Sequence, residues 1–317
     1  GALALVPVFV QTSFARHLVI LSMIYAVVAS NWDLTLGYGG IFNFAHLAFF
    51  GVGAYGCSVL SKIAGVPPMI AIALGGGVAV LFAVIISIPL LRLRGIYVIL
   101  TTFGFSQLIV QIIVSQAEIT GGALGMTFLP GIQIGEYSFV RDGKVGYFYL
   151  ALITLVVSTI VLRWFVNTAT GKALIALRDQ EQLARSRGIS LVRTRFVSLS
   201  TSALFTGIAG GLFATYLRIA APGIFSFGTL ALILSMVLVG GTGTIYGPII
   251  AAFLLTFISE ALISIGAWRH VITSVMIILV LVAFPGGLYA MFHILYQKLF
   301  AEEQRWKKNS SKPKQVQ

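Results

Sequence analysis

Residues 68–91 read PMIAIALGGGVAVLFAVIISIPLL, twenty-four positions without one charged side chain. A helix needs roughly 20 apolar residues to cross a bilayer, and this chain repeats such runs along its length. Spans are expected at about 17–35, 41–61, 68–91, 95–116, 147–166, 195–216, 225–240, 246–263 and 271–296. The runs at 225–240 and 246–263 are shorter and flank GGTGTIYGP (240–248), which reads as one interrupted pair. The opening GALALVPVFV is expected to be the end of a further membrane helix, giving nine or ten in all.

The chain is 58% hydrophobic and 9% charged over 317 residues, with a mean hydropathy of +0.99. Soluble domains are about a quarter charged, so lipid has to be the solvent for this much apolar surface. The fold expected is all-α, a polytopic transmembrane helical bundle with interrupted segments, as one membrane domain over 1–297 and a basic tail over 298–317.

A net charge of +12 raises nucleic acid as a partner, but its placement argues against that. The basic residues gather between Arg163 and Arg195 and from Lys298 onward, next to apolar spans, which is the positive-inside pattern. The turn with Arg92 and Arg94, the 167–194 loop and the tail then share one side, read as cytoplasmic. The 117–146 loop, with Glu118, Glu136 and Asp142 against Arg141 and Lys144, and the Ser264–His270 turn fall on the other. Cys57 is the sole cysteine, so no internal disulfide can form.

Between two spans, residues 171–190 (GKALIALRDQEQLARSRGIS) are too polar to enter a membrane. Leu174, Leu177, Glu181 and Ala184 recur at helical spacing on one face, bordered by Arg178 and Arg185. Asp179 and Glu181 precede Arg185 and Arg187 near the i, i+4 spacing of an exposed helix, and Gly188 suits the left-handed residue that ends it. One short amphipathic helix is expected, either lying on anionic lipid headgroups or docking on a cytoplasmic partner.

This loop resembles the coupling helix of the branched-chain amino acid permeases, the LivH and LivM type of ABC-importer subunit. Ala176, Arg178, Glu181, Ala184, Gly188 and Ile189 fit the family's AxRxxExxAxxxGI, with Leu183 where alanine is frequent. LGYGGIFNFAHLAFFGVGAY (36–55), LRLRGIYVILTTFGFSQ (91–107), TGGALG (120–125) and GGTGTIYGPIIAAFLL (240–255) resemble its other signatures in order, with Ala252 where glycine is usual. The motif order and the long 117–146 loop favour the LivM side. The resemblance implies a fold like type II importers in the bacterial inner membrane. It also implies a related LivH-like permease subunit, two LivG/LivF-like ATPases that bind ATP and Mg, and a periplasmic substrate-binding protein. Coupling would fall to Arg178, Asp179, Glu181, Ala184, Arg185 and Gly188. The implied substrates are branched-chain or other hydrophobic amino acids, with urea, short amides or another small neutral solute as the alternative.

Within the spans, polar residues mark candidates. On a wheel of residues 39–57, Gly39, Asn43, His46, Phe50, Gly53, Ala54 and Cys57 form a small, polar stripe opposite Ile41, Phe44, Ala48, Val52 and Tyr55. Small residues allow close helix approach, so Asn43 and His46 either pin helices or line the solute path. His46 has no second ligand at metal spacing. Thr101, Thr102 and Gln107 share a second such segment, where Gly104 permits a break and exposed backbone. Asp33 and Glu260, the only acids in expected spans, pair helices, sit at the interface, or with His46 serve an ion-coupled secondary transporter. GGTGTIYGP lacks the Lys-Ser/Thr of a phosphate-binding loop, so any ATP must be bound by another chain. No catalytic constellation is evident.

Overall fold

The computed structural model describes residues 13–134, 137–139 and 144–262, with single positions at 266, 272, 275 and 287. The N-terminal helix end, Glu136, Arg141, Asp142, the Ser264–His270 turn, the 271–296 span and the basic tail were expected in segments outside the described residues.

Eleven α-helices carry the described chain. They are α1 (Ser13–Asp33), α2 (Ala45–Lys62), α3 (Pro68–Leu90), α4 (Ile96–Ser115), the single turn α5 (Ala117–Thr120) and α6 (Val145–Asn167). Then come α7 (Ala169–Asp179), α8 (Glu181–Ser186), α9 (Leu191–Leu217), α10 (Phe227–Gly240) and α11 (Tyr246–Ala261). Among the described residues, five segments are long and apolar enough to cross a membrane: Phe14–Tyr38, Pro68–Leu90, Ile96–Ser115, Val145–Asn167 and Leu191–Leu217. The molecule is an all-α, polytopic helical bundle.

Long-range bonds sort the connections into two ends. At one end Arg94 reaches Glu181 at 2.8 Å, Arg178 reaches the Gly37 carbonyl at 2.8 Å, and Asp33 accepts from Gly243 at 2.7 Å. The arginine-bearing turns therefore meet, as the charge pattern requires. At the other end Lys62 donates to Thr127 O (2.7 Å) and Arg218 to Leu129 O (2.9 Å). There β1 (Met126–Thr127) pairs antiparallel with β4 (Ile219–Ala220), and β2 (Gln133–Ile134) pairs with β3 (Tyr137–Ser138). Successive long helices run between these ends in alternating directions.

Helices α2, α3 and α9 pack closely on one another, and glycine lets their backbones touch. A Cβ on Gly53 would run into the Gly207 backbone of α9, and one on Gly75 of α3 into the Gly53 carbonyl. In lipid, where apolar side chains gain nothing by leaving solvent, such close contact is the main source of helix affinity.

The 41–61 span is corrected. Residues 34–38 form a π-helical turn, 39–44 are not helical, and α2 begins only at Ala45. Gly39 and Asn43 are therefore not on its wheel. Nor does α2 keep a greasy face for lipid, since Ala45 through Tyr55 are buried all round. A helix enclosed by protein is under no pressure to be amphipathic.

Helices α10 and α11, of 14 and 16 residues, measure about 21 and 24 Å at 1.5 Å per residue. Both fall short of the roughly 30 Å hydrocarbon core. They pack on each other and on α1, as befits an interrupted pair. The 171–190 helix is corrected too: it is two helices, α7 and α8, broken at Gln180 (φ −149°, ψ 84°).

Candidate functional site

Breaking a helix inside a membrane strands backbone donors and acceptors that lipid cannot satisfy. Between α1 and α2 some of these groups are met by backbone, as in the Ile41 N–H donating to Thr35 O (2.9 Å), and others by side chains. The Phe44 N–H donates to Thr102 Oγ1 (2.9 Å), and Trp32 Nε1 donates to the Asn43 carbonyl (2.9 Å). Asn43 Nδ2 donates to the Ile41 carbonyl (3.0 Å) and to Thr35 Oγ1 (3.2 Å), while its Oδ1 accepts from the Ala45 N–H (3.3 Å). Thr102 itself donates back to Val98 O at 2.8 Å within α4.

His46 closes this network. Nδ1 lies 3.1 Å from Asn43 Oδ1 and Nε2 lies 2.5 Å from Ser202 Oγ on α9, which donates in turn to Asn31 O at 2.6 Å. Its ring stacks on Trp32 at 5.4 Å and 10°. Asn43, His46, Thr102, Ser202 and Trp32 have no exposed surface. The structure thus brings together three of the sequence candidates, Asn43, His46 and Thr102, as the joint between α1, α2, α4 and α9.

Asp33, the last residue of α1, is equally enclosed. Its Oδ1 accepts from the Gly243 N–H (2.7 Å) and its Oδ2 from Thr244 (3.1 Å) and Ile245 (3.2 Å). The glycine-rich turn of GGTGTIYGP is folded around this one carboxylate. Gly37 lies against the same turn, where a Cβ would strike both Asp33 Oδ1 and Gly243. Glu260, the other intramembrane acid, is half-buried in the last turn of α11.

At the same end, α7 and α8 form a strap with an inner and an outer surface. Inward, Leu174 joins Leu34, Leu162, Phe165 and Ile245, and Leu177 packs with Ala184 and Leu191. Thr168 caps α7 by accepting from Gly171 N. Glu181 turns inward as well, at 2.8 Å from Arg94, 3.3 Å from Arg195 and 3.5 Å from Arg185. Arg178 donates to Gly37 O and pairs with Asp179 at 2.8 Å. Glu181 pairs with Arg185 at the i, i+4 spacing, whereas Asp179 pairs with its neighbour Arg178. Outward stand Asp179, Gln180, Leu183, Arg185 and Arg187, with Leu183 at 58% exposure. Gly188 follows at φ +82°, the left-handed conformation expected of it.

Helix α4 presents a third arrangement. It runs unbroken through Gly104, so the expected interruption is not there: one glycine costs a helix only about 1 kcal/mol, which the remaining turns override. Val98, Thr102, Ser106, Ile109 and Ile113 face the bundle. The opposite face is open and carries Tyr97, Leu100, Gly104, Gln107, Leu108 and Gln111, with Thr101 at its margin. Among the described residues neither glutamine has a hydrogen-bond partner. Thr101 and Gln107 therefore stand apart from Asn43, His46 and Thr102.

Sequence reasoning passed over Trp32, Ser202, Arg94, Arg195 and Gln111. Gln111 was findable, four residues after Gln107 on the same helical face. The others act through partners distant in the chain, as in Arg94 with Glu181, and leave no local trace.

Residues 15–284 match the family described as branched-chain amino acid transport system / permease component. Among curated proteins, the chain is 28% identical over 292 residues to LivM of Salmonella typhimurium and of Escherichia coli. Each is a high-affinity branched-chain amino acid transport system permease protein, and each alignment covers 86% of this chain and 69% of the relative. A LivM protein of Methanocaldococcus jannaschii, a probable branched-chain amino acid transport permease, is 23% identical over 61% of the chain and 65% of its own length. No solved structure matches. With that family match spanning most of the bundle described above, the chain belongs to the permease-component family of branched-chain amino acid transport systems.

Proposed function

We propose that this chain is one transmembrane subunit of an ATP-driven importer of branched-chain or other hydrophobic amino acids. In this reading it lines part of the translocation path and docks a separate ATPase. The observation that carries it is the two-sided strap of α7 and α8. Its inner face is fastened to the bundle by Leu174, Leu177, Arg178 and Glu181, and its outer face is exposed around Leu183. A segment so held passes displacement to α1, α4 and α9 instead of absorbing it. Arg178 and Glu181 then serve to seat the strap, while Leu183, Asp179 and Arg185 meet the partner.

The path follows from α4. Two glutamines and a glycine on an open face of a membrane helix call for a protein partner or water, because lipid satisfies neither amide. A related, LivH-like permease subunit facing α4 would enclose the path between them. The remaining partners are two LivG/LivF-like ATPases, which hold the ATP and Mg, and a periplasmic binding protein, all at the bacterial inner membrane. The substrate class rests on the LivM relatives, which align over most of the chain. Urea, short amides or another small neutral solute is the alternative.

The test is purification with associated chains, followed by solute uptake into liposomes supplied with ATP. Leucine uptake that needs ATP and a co-purified ATPase is expected. Uptake that survives ATP depletion and collapses with an uncoupler would make the protein an ion-coupled transporter. The strap has its own test. Glu181→Lys puts a fourth cation among Arg94, Arg185 and Arg195, so ATP hydrolysis should persist while uptake falls at least tenfold. Coupled uptake at the normal rate in that variant removes the strap from the mechanism.

A further inference from the structure

A cavity of about 580 Å³ opens between the strap, the α1–α2 break and the turn joining α3 to α4. Three arginines line it, Arg94, Arg178 and Arg195, against the single carboxylate of Glu181. Glu181 is also shared with Arg185 from outside the cavity, so it cannot neutralise the guanidiniums around it. Arg178 alone has a second acid, Asp179. The lining therefore holds surplus positive charge in a partly enclosed space.

The rest of the wall is apolar, and it continues beyond the cavity. Phe42, Leu93 and Ile96 line it, and Phe42 and Ile96 are exposed. From there Ile96, Tyr97 and Leu100 run down the open face of α4 at 60–64% exposure. Helices α3 and α4 are long enough to cross a membrane, and the cavity sits at their arginine-bearing ends, the depth of the lipid headgroups.

We infer that this cavity binds the headgroup of an anionic phospholipid, with the phosphate held by Arg94, Arg178 and Arg195 and an acyl chain lying along Ile96, Tyr97 and Leu100. Guanidinium groups form paired, charge-assisted hydrogen bonds with phosphate oxygens. The apolar track selects the source: a free phosphate has no use for it, whereas a lipid needs it. Arginines near a membrane surface each add about a fivefold preference for anionic lipid. The same guanidiniums hold Glu181, so the bound lipid would share the clamp that seats the strap. This site is independent of what the transporter carries and of which ATPase it meets.

The test uses the full chain in detergent, titrated with phosphatidylglycerol or phosphatidylcholine, with bound lipid counted by native mass spectrometry. Phosphatidylglycerol should be retained over phosphatidylcholine. Arg94→Gln should weaken that retention about fivefold. Ile96→Glu, which leaves the Glu181 clamp untouched, should weaken it as well. Arg187→Gln, an exposed arginine of the same loop outside the cavity, should leave it unchanged. Equal retention of the two lipids overturns the site. So does a loss with Arg187→Gln as large as with Arg94→Gln, which would mean diffuse surface charge. Displacement of phosphatidylglycerol by millimolar inorganic phosphate would reassign the cavity to a soluble anion.

Discussion

Two segments of this protein place small and polar residues inside apolar runs, and the bundle treats them in opposite ways. In the stretch from α1 through the break into α2, most glycines are closely packed against neighbouring atoms and the polar side chains meet one another. Asn43 and His46 have no exposed surface, and Gly53 touches Gly207. In α4 the candidates divide between two faces. Thr102 turns inward to the break, whereas Gly104, Gln107 and Gln111 look out from a helix with only 28% of its most apolar window buried. The corresponding share of the first span is 94%. Polar residues in a membrane helix thus have two meanings. Where partners surround them they join helices, and where none do, as at Gln107 and Gln111, they are left on an open face.

Matched substitutions can break this contrast. The largest effect belongs to Gly53→Leu. Its side chain has nowhere to go but the Gly207 backbone, so a loss of about 4 kcal/mol or more is expected, in the range reserved for severe core disruption. Size-exclusion chromatography in detergent should show no monodisperse protein. The mirror change, Gly104→Leu, meets open space and gains helix propensity of about 0.5–1 kcal/mol. It should fold normally yet impair uptake. Normal uptake in that variant would free the α4 face from any part in transport.

Next comes His46→Ala, which removes the ring stacked on Trp32 and the contacts of its two nitrogens with Asn43 and Ser202, leaving Ser202 only its bond to the Asn31 carbonyl. A loss of about 2–4 kcal/mol is expected from the cavity and the lost polar contacts, read as a lower unfolding temperature. The leucine KM of the surviving folded fraction should be unchanged. A shifted KM with unaltered stability would instead put His46 on the solute path.

The smallest effect on stability is expected for Gln107→Leu combined with Gln111→Leu. Neither amide has a described partner to lose, so stability should change by less than about 0.5 kcal/mol. Uptake should fall several-fold. If the paired leucines destabilise the bundle as much as His46→Ala does, the two segments are alike and the contrast fails.

Much of this was legible in the chain. Long uncharged runs announced the spans, and clustered arginines placed Arg92, Arg94 and the 167–194 loop at one end, which the Arg94–Glu181 contact bears out. The inward face of the strap followed from the spacing of Leu174, Leu177 and Ala184, although Gln180 divides the helix that was expected to carry them. The start of α2 was not legible. Phe42, Asn43 and Phe44 read as well on a helix as off one, and what releases them is the set of partners supplied by Trp32, Thr35 and Thr102.

The sequence by itself determined that lipid is the solvent, which segments lie in it and which end carries the positive charge. Those are properties of local composition acting against a single medium, and each run expresses them alone. Only the tertiary structure decided that Asp33 folds the 241–245 turn, that Glu181 meets Arg94 and Arg195, and that α4 leaves two glutamines uncovered. Each of these depends on which groups, tens or hundreds of residues apart, come within about 3 Å. Inside a membrane that proximity separates a satisfied joint from an open face.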